Sequence, residues 1–237
     1  MSQTPSGRSG AKTIHTPNQQ KTGLVPVFCL HGADGTRVPL YQHLCYNVEN
    51  SFLSARGRSA MEQRIIEELQ KLGAMYTALI AVSEIGFFPG LRTLCEMNSC
   101  GAYATGWGCP PGCGTVETLA RRVRKYRRGV VYQYVGVLED SFDYDGMMAS
   151  EHFFGSISDG IRIFAEKNAL DAWVLGAGGC RVCAECTYPG APCRFPGRKN
   201  ISLEACGINV SVLCESCGLA YIHGPNTITN TGLVLLG

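Results

Sequence analysis

The sequence predicts an α/β fold: layered helices on a mixed, partly parallel sheet, with two cysteine-rich loops set between the regular elements. Three observations predict it. Helical and strand-like apolar segments alternate from Ser59 onward, which implies crossover connections and at least some parallel pairing. The 237 residues are 45% hydrophobic and only 17% charged, enough to bury a core and too apolar for general disorder. Eight of the thirteen cysteines fall in two Gly- and Pro-rich stretches rather than in the periodic segments.

In chain order, residues 1–22 are rich in Ser, Thr, Gln, Gly and Lys and read as a flexible leader. Residues 23–58 form an N-terminal extension of mixed signals, broken by Pro26 and Pro39, and no element is assigned there. Residues 59–237 are expected to form a single domain. Ser59 and Glu62 make a capping box ahead of Met61, Ile65, Ile66, Leu69 and Leu72 at helical spacing, and Gly73 closes that helix. Residues 75–82 are a β-rich apolar run. Thr115 caps a second helix with the apolar face Val116, Leu119, Ala120, Val123 and Tyr126, expected to end at Gly129. Residues 130–138 read as a second strand, and an acidic turn over 139–146 leads to a helix that stops near Asn168. A third strand covers 172–175, short helices cover about 203–205 and 210–217, and two further strands are expected near Tyr221 and Leu233.

Charge and hydropathy exclude several functions. Twenty-one basic and nineteen acidic residues leave a formal charge of +2, which argues against a dedicated nucleic-acid binder. No run approaches the roughly 18 apolar residues of a membrane span. The polar start lacks the apolar core of a secretory signal, so a cytoplasmic location is expected. In a reducing compartment, clustered cysteines are more often metal ligands or catalytic thiols than disulfides.

The stronger group is Cys180-x-x-Cys183-x-x-Cys186-x6-Cys193. Cysteines at i, i+3 and i+6 let one turning loop aim three sulfurs at one centre, and Gly176, Gly178 and Gly179 allow the backbone to pass close to it. This is the chelating run of bacterial ferredoxins, which predicts a [4Fe-4S] cluster with Cys193 as fourth ligand. Zinc is the rival, although four-thiolate zinc sites usually use two separated C-x2-C pairs. The other group, Cys95-x4-Cys100-x8-Cys109-x3-Cys113, lies among glycines and prolines and predicts a second [4Fe-4S] cluster, against a Gly-rich loop with incidental thiols.

Six segments together resemble a known family: CEMNSCGAY at 95–103, WGCPP at 107–111, VGVLEDSFD at 135–143, GGCRVCAECTYP at 178–189, PCRFP at 192–196 and SLEACGINV at 202–210. They stand in the order of the predicted metal-binding proteins called domain of unknown function 2284, and the likeness runs from about Ser59 to the C-terminus. The resemblance implies metal binding, of iron–sulfur type, in anaerobes, with no agreed reaction. It carries over to Cys95, Cys100, Cys109, Cys180, Cys183, Cys186 and Cys193, while Cys113 stands where the family varies.

The remaining candidates have plainer explanations. Cys206, Cys214 and Cys217 are expected to pack a core, the last two on the buried stripe of a helix, and Cys29 and Cys45 are read the same way. His31, His43, His152 and His223 stand singly, without metal-ligand spacing. Arg121, Arg122, Arg124, Lys125, Arg127 and Arg128 crowd the outer face of the Thr115 helix. They form either a solvated face or a docking patch for a redox partner protein. The expected function is electron transfer through two clusters to a partner enzyme. The alternatives are a cluster enzyme that binds substrate at an open iron for sulfur removal or dehydration, and a zinc-stabilised interaction module. Cys113 favours the first and the family's missing fourth cysteine favours the second.

Overall fold

The computed structural model describes residues 59–237; the expectations for residues 1–58, with Cys29, Cys45, His31 and His43, lie outside them. Its elements are α1 (Ala60–Leu72), β1 (Tyr76–Ala81), α2 (Leu91–Glu96), α3 (Val116–Val123), β2 (Arg128–Val137), α4 (Tyr144–Lys167), β3 (Ala172–Leu175), α5 (Val210–Ser216) and β4 (Thr227–Leu236).

Local signals place the helices. Ser59 Oγ accepts from Glu62 N at 3.2 Å while Glu62 Oε2 accepts from Ser59 N at 2.7 Å, closing the capping box. Gly73 ends α1 at φ 106°, a left-handed conformation that only glycine adopts cheaply. Thr115 caps α3 as expected, but α3 stops at Val123, and Gly129 lies inside β2 instead of ending the helix. Asp143 of the acidic turn caps α4, accepting from Gly146 N at 2.8 Å.

The four strands form one sheet in the order β1-β2-β4-β3, and every neighbouring pair is antiparallel. The expected partly parallel sheet is therefore wrong. Its physical origin is visible in the topology. β2 and β3, joined through α4, do run the same way, as a strand–helix–strand crossover demands. But β4, the last element, inserts between them and pairs antiparallel with both, giving a split β-α-β unit. Among the described residues, the one parallel contact is an isolated bridge between Gly176 and Ser202, outside the sheet. The strand expected near Tyr221 is also absent: the chain there is irregular, and the last strand starts at Thr227.

Strand alternation sends side chains to two faces. Val130, Tyr132, Val174, Val234 and Leu236 meet Ile65 and Leu69 of α1 and Phe154, Ile157 and Ile161 of α4. Ile80, Val131, Trp173, Leu175, Leu233 and Leu235 face Leu119 and Val123 of α3, Leu213 of α5 and the 201–208 segment. The sheet is thus the middle of three layers. Among the described residues, no helix is long and apolar enough to cross a membrane.

Candidate metal centre

The second cysteine group sits in a loop that leaves β3 and returns beside it. Gly176 N donates to Ile201 O at 3.1 Å and Leu203 N to Gly176 O at 3.2 Å, which closes the base of the loop. Cys180, Cys183, Cys186 and Cys193 line one partly open pocket, together with Trp107, Arg194, Phe195 and Lys199. Within the loop, Ala191 N donates to Thr187 O at 2.9 Å and Arg194 Nη1 to Glu185 O at 2.9 Å. Cys186 is exposed, and backbone N–H groups of Trp107, Tyr188 and Thr187, with the nearby Arg194 charge, hold its thiol below the usual range. Its sulfur is therefore biased toward the thiolate, the form that binds metal.

The first group lies between α2 and α3. Cys95 is carried on α2, and Cys113 N donates to Cys109 O at 2.9 Å across the Cys-Pro-Pro-Gly-Cys turn. The four thiols of this group act on one another electrostatically. Burial is the main cause that pushes the Cys109 thiol up to about 11, and the charges of Cys113, Cys100 and Cys95 add to it. Burial likewise raises Cys95, with Arg92 acting against it. Cys113 differs from the other three: it is buried in the core beside α3, and Arg92 Nη1 lies 3.6 Å from its Sγ. Arg92 Nη2 also donates to Gly114 O at 3.1 Å and Ala205 O at 2.7 Å, tying this loop to the 201–208 segment.

The two loops interlock, which their spacing in sequence does not reveal. A Cβ built on Gly106 would lie 3.5 Å from Cys186 Sγ. One on Gly108 would fall 2.6 Å from Cys180 Cβ and closer still to the Asn200 carbonyl oxygen. Trp107, between them, donates from Nε1 to Ala191 O at 2.9 Å and packs edge-on against Tyr188, 5.0 Å between centroids. In return, Cys180 N–H donates to Cys109 of the first group, and Gly179 approaches that sulfur. So the glycines between the cysteines are the surface on which one loop meets the other.

Asn200 joins both loops and carried no motif. Its Nδ2 faces three successive carbonyls, those of Ala177 at 3.0 Å and of Gly178 and Gly179 at 3.3 Å, and its Oδ1 accepts from Arg162 Nη2 at 2.5 Å. Arg162 itself is buried and paired with Asp159 at 2.8 Å.

The other candidates fall apart from this cradle or at its edge. Cys206 is fully buried next to Cys113, closer to the first group than its place in sequence suggests, and burial raises its thiol well above the usual value. Cys214 is fully buried and accepts from Gln133 Nε2 at 3.3 Å; Cys217 is half-buried, and burial pushes it up to about 11. His223 stacks on Tyr76 at 4.3 Å, and His152 meets Arg181 at 2.7 Å. The basic cluster is partly used within the fold: Arg122 lies over Trp173 at 3.8 Å, Arg124 over Phe87 at 4.4 Å, and Arg128 pairs with Glu62 at 2.8 Å. Among the described residues, no three His, Cys, Asp or Glu side chains already converge as the ligands of one metal ion would.

Fold and site together define a three-layer protein with an antiparallel sheet and two joined thiol-rich loops, donors suited to soft metals. The chain belongs to the family of predicted metal-binding proteins DUF2284, whose profile matches residues 78–236. That match begins within β1, so α1 precedes it. No curated protein and no solved structure gives a significant match.

Proposed function

We propose that the protein holds two [4Fe-4S] clusters and passes electrons between them and a partner protein. Cys180, Cys183, Cys186 and Cys193 would bind one, and Cys95, Cys100, Cys109 and Cys113 the other. The residues present suit such a group in chemistry: eight thiols, with glycine backbone beside Cys186 and Cys109 and too close to Cys180 for a side chain. When bound, the clusters would supply one-electron steps, and the chain's own part is to orient the sulfurs and donate N–H groups to them.

The observation that carries this reading is the interlocking of the loops. N–H groups cross from each loop to a sulfur of the other, from Cys180 to Cys109 and from Trp107 to Cys186. Two centres held so close to one another form a short path for an electron, an arrangement that a single structural metal would not need. The partner would dock where a cluster edge is nearest solvent, and exposed Cys186 marks that edge. The Arg121–Arg128 face is the weaker docking candidate, because Arg122, Arg124 and Arg128 already hold internal partners.

A second reading has its own observation. Cys113 faces the core and Arg92, so the first site can instead be a three-thiol site whose remaining position takes substrate. One set of measurements separates the readings. Protein purified anaerobically should be brown and carry about eight irons with acid-labile sulfide per chain, and Mössbauer spectra should show no distinct iron site. A distinct iron that shifts when small thiols or hydroxy acids are added would make the protein an enzyme. A colourless, zinc-loaded protein from an iron-replete preparation would sink both.

A further inference from the structure

We infer that Asn200 and Arg162 are positioning residues that polarise the sulfur of Cys109 through a single peptide unit, and so set the reduction potential of the first site from a side chain that touches neither loop's cysteines. The inference rests on the two-cluster reading above.

The chain of contacts is continuous. The Arg162 guanidinium is buried, anchored by Asp159 Oδ1 at 2.8 Å and by Val174 O at 3.4 Å, and it gives a proton of Nη2 to Asn200 Oδ1 at 2.5 Å. That charge-assisted bond fixes which end of the Asn200 amide is oxygen, so Nδ2 must point the other way. Nδ2 donates toward Gly179 O at 3.3 Å. In a planar trans peptide, C=O and N–H point in opposite directions. The unit whose carbonyl turns toward Asn200 therefore presents its N–H, that of Cys180, away from Asn200, and the unit adjoins Cys109, whose Sγ would lie 3.8 Å from a Cβ on Gly179.

The surrounding backbone holds the peptide in that orientation. Gly176 has no room for a Cβ against Asn200 Oδ1, and Gly108 none against the Asn200 carbonyl. A Cβ on Gly179 would lie 3.8 Å from Cys109 Sγ, so the peptide passes directly over the sulfur. Hydrogen bonds in series polarise one another, most strongly in a low-dielectric interior. The positive charge of Arg162 thus arrives at Cys109 as a strengthened N–H···S bond. Such bonds favour the more negative, reduced state of a cluster and raise its potential. The signal crosses from the second loop to the first, so a residue packed on one loop tunes only the site of the other.

The test uses the whole chain, with Asn200→Asp and Arg162→Lys. The aspartate keeps the partner of Arg162 but turns an acceptor toward three carbonyls, while the lysine keeps the charge and loses the fork. EPR-monitored redox titration should show one of the two potentials falling in both variants, further in Asn200→Asp, with the other unmoved. Hydrogen exchange at the Cys180 amide should quicken by roughly tenfold, the factor set by losing about one net hydrogen bond. Two unchanged potentials, or two that move equally, would overturn the relay, as would unchanged exchange. If Asn200→Asp does not fold, Arg162→Lys gives both readouts. If the wild type holds no cluster, the functional reading falls, and amide exchange alone still decides whether Asn200 orients the 179–180 peptide.

Discussion

The two sides of this molecule are held together by different physics. Between α1, α4 and the sheet, Ile65, Leu69, Phe154, Ile157, Ile161 and Tyr132 are almost wholly buried and make a continuous apolar layer. The cysteine loops instead rest on glycine contacts, on Asn200, on Arg92 and on N–H groups aimed at sulfur. Several of their cysteines remain exposed or half-exposed. The first region is stabilised by area removed from water, at about 25 cal/mol per Å². The second exchanges such area for aimed polar groups, so a bound metal would add most of its stability there. Apolar packing and the thiol-rich loops are thereby divided between two parts of the described fold.

The largest test strikes the apolar side. Phe154 is 1% exposed and stacks on Tyr132 at 5.3 Å between centroids. Phe154→Ala should cost about 3–5 kcal/mol and lower the denaturation midpoint whether or not metal is bound. If metal restored most of the loss, the two regions would not be separable in the way described. A smaller change strikes the loops. Gly108→Ala drives a methyl into Cys180 and the Asn200 backbone and should cost about 1–3 kcal/mol. It should also cut bound iron and speed proteolysis within residues 176–200, read by mass spectrometry, while far-UV circular dichroism keeps its helix signal. Unaltered iron binding in this variant would show that the interlocking of the loops is incidental.

What the sequence could and could not foretell follows the same division. Ser59, Glu62 and Gly73 act within a few residues of one another, so α1 was legible to its ends. The apolar runs of β1, β2 and β3 were legible for the same reason. Strand direction was not, because it depends on β4 entering between β2 and β3 from the far end of the chain. The cysteine spacing marked both loops as chemically special. Their joining rests on Gly106, Trp107, Gly108 and Asn200, whose partners lie dozens of residues away and follow no spacing rule. Arg92 was silent for a similar reason: its partners, Gly114 and Ala205, lie 22 and 113 residues away.

Cys214 sharpens the boundary between the two regions. It is fully buried, and its sulfur accepts from Gln133 Nε2, itself shared with Thr231 and Ala220. Cys214→Ala removes a small buried group without opening the loops and should cost about 1 kcal/mol. Iron content should stay at the wild-type value, whereas Cys183→Ser should lose about half of it. Loss of iron in Cys214→Ala would move this cysteine from the core to the metal centre.

The smallest expected effect comes from an ion pair that ties α1 to β2. Glu62 is almost fully buried, and its carboxylate bonds Ser59 N through Oε2 and Arg128 Nε through Oε1. Burial alone would raise its pKa, but the bonds from Arg128 and Ser59 outweigh it and hold the carboxyl below its ordinary 4.5. A group with a lowered folded pKa stabilises the fold above its unfolded value, and the contribution disappears as pH falls through the folded one. Arg128 is half-exposed, so water screens the pair and its worth stays below about 1 kcal/mol. Glu62→Gln keeps a side chain that can complete the capping box but cannot ionise. The metal-free protein should therefore be slightly less stable as Glu62→Gln at pH 7, with the two stability curves converging below pH 4.5. The comparison is made by urea denaturation from pH 7 down to about pH 3. Parallel curves over that range would mean that Glu62 holds α1 through its caps alone.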